Sequence, residues 1–349
     1  MNRNREITSE ILVVIGAIFI IGFSTQHVFA IGPEGSMYVG NGGSHTVSVI
    51  DTKTNTVGSP IVIGGSAEAI AFDSAHKRMY AATPVDGVFV IDTKTNTVVK
   101  TIPIDGVSSA IAFDSAHKRM YVASSHDDKV RVIDTNTNTV VGSPIAVGDF
   151  PRGIAFDPIH NRMYVVNAGD ENVMVIDTNT NTVVGSPISV GHEAFGIAYD
   201  NILHRMYVTS TIPTGRDEVW VIDTNTNTSL GSILVGDGTI AITFDNIHQR
   251  MYVPNFNTND VYVIDNNGRQ VIGSPIPISP VSEDCCANIA FDPIHERIYV
   301  TNGFVDTITV IDTNTNTIVG LPLIAGATPT VIAFAPPSTS TNVFGSILL

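Results

Sequence analysis

The stretch Val132-Ile-Asp-Thr-Asn-Thr-Asn-Thr139 returns unchanged at Val175–Thr182, Val221–Thr228 and Val310–Thr317, with variants at Val49–Thr56, Val90–Thr97 and Val263–Gln270. A second phrase interleaves with it: Ile-Ala-Phe-Asp, a short turn holding His and Arg, then Met-Tyr-Val. Taken from the residue before each repeated tyrosine, the units begin at Met37, Met79, Met120, Met163, Met206, Met251 and Ile298, spaced by 42, 41, 43, 43, 45 and 47 residues. A period of about 40–45 residues containing several short strands predicts a propeller with one blade per unit. The expected fold class is therefore all-β: a seven-bladed β-propeller with four antiparallel strands per blade.

One unit shows how the strands are read. Met120-Tyr-Val is a short apolar strand, and Val130–Asp134 alternates like a half-buried one. Val140–Val147 is a third strand, whose Pro144 suits an outer edge because proline cannot donate to a ladder. Gly153–Asp157 is the fourth, small-residue-rich as an inner strand near a crowded axis should be. Labelled from the axis outward, the Ile-Ala-Phe strand is A, Met-Tyr-Val is B, Val-Ile-Asp is C and the proline strand is D. The repeats begin on a B strand at Met37 and finish on an extra A strand, Val331–Phe334. Pairing these two joins the ends of the ring and removes an exposed edge. The expected organisation is residues 1–30 as a signal peptide or N-terminal anchor, 31–36 as a lead-in, 37–336 as the propeller and 337–349 as a tail.

The first 30 residues carry Arg3 and Arg5, an unbroken run of apolar residues and Gly over Ile11–Phe23, and Val28-Phe29-Ala30 as a small-residue cleavage site. This reads as an export signal and places the protein at the cell surface or outside the cell. The rival reading is an uncleaved anchor, since no Lys, Arg, Asp or Glu occurs between Ile11 and Pro33. The net charge of −15 works against nucleic acid or acidic lipid as a partner.

Tyr299-Val-Thr-Asn302, followed by Val310–Thr317, resembles the YVTN-repeat β-propellers of secreted and surface proteins. The resemblance spans Met37–Pro336 and implies the fold; more distantly it extends to lactonase-like and quinoprotein-like propellers. It brings no catalytic set, because function lives in sites rather than folds.

Strand direction sorts the loops onto two faces. The A–B and C–D turns share one face and carry the repeated residues. There, an Asp ends each C strand and is expected to cap its own turn. The histidines that follow Phe-Asp or Tyr-Asp are expected to be structural too. The B–C and D–A loops share the other face and carry what does not repeat: sixteen acids against three bases. A field of one sign steers partners of the other.

Candidate binding residues therefore lie on this variable face. Glu68, Arg152 and Phe195 stand just before A strands, at the mouth of the channel, with His192 and Glu193 in the same loop as Phe195. Asp127, Asp128, Asp170 and Glu171 lie in B–C loops, and Arg216 and Asp217 in the long loop Thr209–Glu218. A further loop holds Cys285 and Cys286. Adjacent Cα atoms are about 3.8 Å apart, below the usual disulfide span, so a bond between them would close a strained ring; two thiols or pairing between chains are the alternatives.

The function expected from these features is a non-enzymatic surface or extracellular binding module. Its partner would be an envelope protein, a glycan or a cation-bridged surface component. No cofactor or fixed metal site is expected, although a divalent cation such as calcium suits the acidic face. The alternative is a lactonase-like or lyase-like enzyme with a metal-assisted site at the channel mouth, Glu68 and His192 being the first ligand candidates. Oligomeric state is open.

Overall fold

The computed structural model describes residues 35–213, 215–278 and 288–337. The expected export segment, the tail from residue 338 and the cysteine pair fall outside these residues. The described chain forms seven antiparallel sheets in a ring, a seven-bladed β-propeller. Among the described residues no helix is long and apolar enough to cross a membrane.

Blade 3 is representative: A is Ser108–Asp114, B is Arg119–Ser124, C is Lys129–Asp134 and D is Thr139–Ala146. The order is A-B-C-D, with A at the axis and the proline-bearing D outermost. Blades 1, 6 and 7 depart from this, since their D strand is split into two short pieces such as Gln270–Val271 and Ile276–Pro277. The break falls at Gly-Ser-Pro or Gly-Leu-Pro. Gly273 and Gly320 adopt left-handed φ values of 69° and 68° there, but Gly142 and Gly185 do the same, at 70° and 72°, inside the unbroken D strands of blades 3 and 4.

Strands B and C have no polar face because both of their faces are buried between neighbouring blades. In blade 2, Met79 and Ala81 pack towards blade 1, with Tyr38 and Val49. Tyr80 and Ala82 point the other way and pack with Met120 and Val122 of blade 3. Strand periodicity of two thus sends alternate residues into successive inter-blade layers. Seven such layers make up the core.

The repeated phrase also builds a polar staple between blades. Tyr121 in blade 3 donates its hydroxyl to Asn181 Oδ1 in the C–D turn of blade 4, at 2.5 Å. Tyr38, Tyr80, Tyr164, Tyr252 and Tyr299 make the same bond to Asn96, Asn138, Asn227, Asn316 and Asn55. Each of these asparagines has φ between 54° and 56°, a region Asn tolerates better than most residues. The arginine before the tyrosine reinforces the link: Arg119 Nη1 donates to the Thr178 carbonyl at 3.2 Å. Blade 6 carries Arg269 where the others have Asn, and Tyr207 of blade 5 donates to the Asn266 carbonyl of blade 6 instead.

Ring closure follows the expected register. Met37 pairs with Phe334 and Gly40 with Val331, so the last A strand, Pro329–Ala335, completes blade 1. The Tyr299–Asn55 bond joins blade 7 to blade 1 in the same way. Deleting residues 329–349 should strip blade 1 of its inner strand and lower the midpoint of thermal unfolding sharply; a truncated chain that melts like the parent would contradict this closure.

The staples also set a pH limit. Burial pushes the Tyr121, Tyr207 and Tyr252 phenols up to about 12 from the ordinary 10.0. Below pH 10 these phenols are neutral whether the chain is folded or not, and their contribution to stability is fully present. As pH rises from about 10 to about 12, the unfolded chain loses protons that the folded ring retains, and stability is lost. Chemical denaturation followed across this window should show a steep drop in unfolding free energy, with phenolate absorbance rising together with unfolding.

Candidate functional site

On the turn face each C-strand aspartate caps its hairpin. Asp134 Oδ1, for example, accepts the backbone N–H of Asn136 at 2.8 Å and of Thr137 at 3.2 Å. His76, His117, His160, His248 and His295 each hold the buried Asp at the end of strand A through Nδ1, at 2.7–2.8 Å. His204 differs because Leu203 occupies the corresponding place. It bonds the Tyr199 hydroxyl at 3.1 Å instead.

The variable face carries a cavity of about 700 Å³ at its channel mouth, and Glu68, Arg152 and Phe195 all line it. The A strands crowd closely here. A Cβ on Gly153 would lie 2.2 Å from the Phe195 carbonyl oxygen, so only glycine lets blades 4 and 5 approach this far. That approach brings the Arg152 guanidinium within 5.8 Å of the Phe195 ring centroid, and Phe150 lies beneath it at 4.3 Å. Phe150 carries no repeat signal and was not expected. Glu68 accepts a hydrogen bond from Ser66 Oγ at 3.0 Å.

The other expected residues are not drawn into this site. His192 pairs with Glu171 at 2.7 Å in an exposed contact. His192 and Glu193 line a separate cavity of about 420 Å³, with Asp237 and Asn257. Glu68 and His192 thus sit in different cavities, and the described residues contain no group of three or more His, Cys, Asp or Glu side chains placed to hold a metal.

Several acids on this face have structural duties. Asp127 is clamped by Arg131 at 3.2 and 2.6 Å, and the guanidinium holds its carboxyl well below the usual carboxylate range. Asp128 accepts the Phe150 N–H at 3.0 Å, and Asp170 accepts the Asp149 N–H at 3.0 Å, each tying two loops together. Arg216 donates Nε to the Val235 carbonyl at 2.8 Å. Asp217 is fully buried and accepts from the N–H groups of Ile212, Gly238 and Thr239 at 2.7–2.9 Å. It replaces ladder bonds that blade 6 lacks, since strand A there is only Thr243–Asp245. Asp217→Asn should cost about 1–3 kcal/mol, because a buried amide cannot accept all three donors; urea denaturation reads this directly. Asp149→Asn, at an exposed position, should unfold like the parent.

The turn face holds a second cavity, of about 520 Å³, at the opposite end of the A strands. Phe72, Phe113, Phe156, Tyr199, Phe244 and Phe334 line it. These rings belong to the repeated Ile-Ala-Phe phrase or its variants. They are half-buried, and each also packs against an inter-blade layer.

No family model matches the chain, and no curated protein matches it. Solved structures do. A protein from Lactobacillus plantarum superposes with a TM-score of 0.72 at 17% identity, covering 86% of this chain and 99% of that one. A functionally unknown protein from Desulfotomaculum acetoxidans gives 0.72 at 15%, with 86% and 99% coverage. A chain of Kuenenia stuttgartiensis hydrazine synthase gives 0.67 at 20%, with 84% and 99% coverage. At these identities the likeness is one of fold.

Proposed function

We propose that the chain is an exported, non-enzymatic binding module of the YVTN-repeat type, which holds a basic or cation-bridged envelope component against its acidic variable face. The observation that carries this reading is the charge left over once structural duties are met. Asp86, Asp105 and Asp149 are exposed, and no hydrogen bond to their carboxylates occurs among the described residues. They project from loops that differ between blades, on a scaffold whose inter-blade layers are closely packed. A rigid disc with one charged face suits recognition of an extended surface, because little conformational freedom is lost on contact. The enzymatic alternative draws less support, since its first two ligand candidates line different cavities.

The test is binding of purified protein to intact cells or isolated envelope. Binding should weaken as salt screens the acids, and should fall several-fold in the triple variant Asp86→Asn, Asp105→Asn, Asp149→Asn. Binding that ignores both salt and these substitutions would overturn the proposal.

A further inference from the structure

Arg152 is the one arginine among the described residues that donates no hydrogen bond. Six others, Arg78, Arg119, Arg162, Arg205, Arg250 and Arg297, donate to carbonyls of the next blade. Arg131 clamps Asp127, while Arg216 and Arg269 donate to backbone carbonyls. Arg152 instead lies over the Phe150 and Phe195 rings at the channel mouth, with its N–H donors uncommitted. Glu68 lines the same cavity, and neither side chain has an ion-pair partner among the described residues. Ile70, Ile111, Ile154 and Ile332 add apolar surface to a lining that also carries Ser109 and Thr330. Ser108, 1% exposed, also lines this cavity, and its Oγ has no hydrogen-bond partner among the described residues.

We infer that this cavity binds a free amino acid with an apolar side chain. A guanidinium held by two rings presents a planar fork of donors that matches a carboxylate. The surrounding face is strongly acidic and disfavours a ligand with net negative charge. A carboxylate therefore enters best when it carries its own cation, and Glu68, which lines the same cavity, supplies the acceptor an ammonium would need. The isoleucines give the side chain apolar surface to contact, and a volume of about 700 Å³ is ample for such a ligand. This site is separate from the exposed rim acids that hold the proposed surface partner.

The experiment is calorimetric titration of the intact protein with leucine, with 4-methylpentanoate (no ammonium) and with 3-methylbutylamine (no carboxylate). Leucine should bind, and each analogue should bind roughly tenfold or more weakly, the loss of one charged hydrogen-bonded contact. Arg152→Gln and Glu68→Gln should each weaken leucine by a similar factor. Both positions are exposed, so thermal melts should confirm that the variants are folded. The triple rim variant should bind leucine like the parent, which separates this inference from the envelope reading. The inference is overturned if leucine fails to bind at millimolar concentration, if Arg152→Gln binds it like the parent, or if 4-methylpentanoate binds as tightly.

Discussion

The hydrogen bond from a B-strand tyrosine to an asparagine in the next blade is the interaction on which the ring depends. Each blade alone is a small twisted sheet with two apolar faces, and it is stable only when both are covered. Apolar packing covers them but does not fix how one blade sits against the next. At six of the seven junctions the Tyr–Asn bond does, because it joins the buried centre of one blade to a single turn residue of its neighbour; at the seventh, Tyr207 reaches the Asn266 carbonyl instead. The asparagine serves twice: its backbone closes the C–D turn in a left-handed conformation, and its carboxamide accepts the phenol. The phenol would otherwise be buried without a partner, at a cost of about 1–3 kcal/mol per site.

This explains why the repeated phrase is long. Val-Ile supplies the inter-blade layers, Asp caps the turn, and the last Asn receives the neighbour's tyrosine. The first Thr is fully buried in most blades and donates Oγ1 to a carbonyl of its own A–B turn, as Thr135 does to Lys118 at 2.9 Å. Five of the eight positions in the phrase are therefore occupied by folding.

Fold, blade count, strand order and ring closure were legible because all follow from periodicity. The candidate site was legible only in part. Glu68, Arg152 and Phe195 do meet in one cavity, since each stands just before an A strand and the A strands converge on the axis. Asp127 and Asp217, expected among the partner-facing residues, hold their own loops: one is clamped by Arg131, the other is buried as an acceptor for three N–H groups. Nothing local in sequence separates a carboxylate that binds from one that holds its own loop. Phe150 escaped notice for a related reason, since its contact with Arg152 depends on the left-handed turn at φ 54°. The aromatic cavity of the turn face was hidden by repetition itself, because a repeated Phe reads as core.

The most direct measurement is a double-mutant cycle on one staple, with Tyr121→Phe, Asn181→Gly and the pair, followed by urea denaturation. Glycine keeps the left-handed turn while removing the carboxamide. If the staple joins blades 3 and 4, the two substitutions should be non-additive, with a coupling free energy of about 1 kcal/mol or more. Effects that add to within about 0.3 kcal/mol would mean that packing alone sets the register between blades.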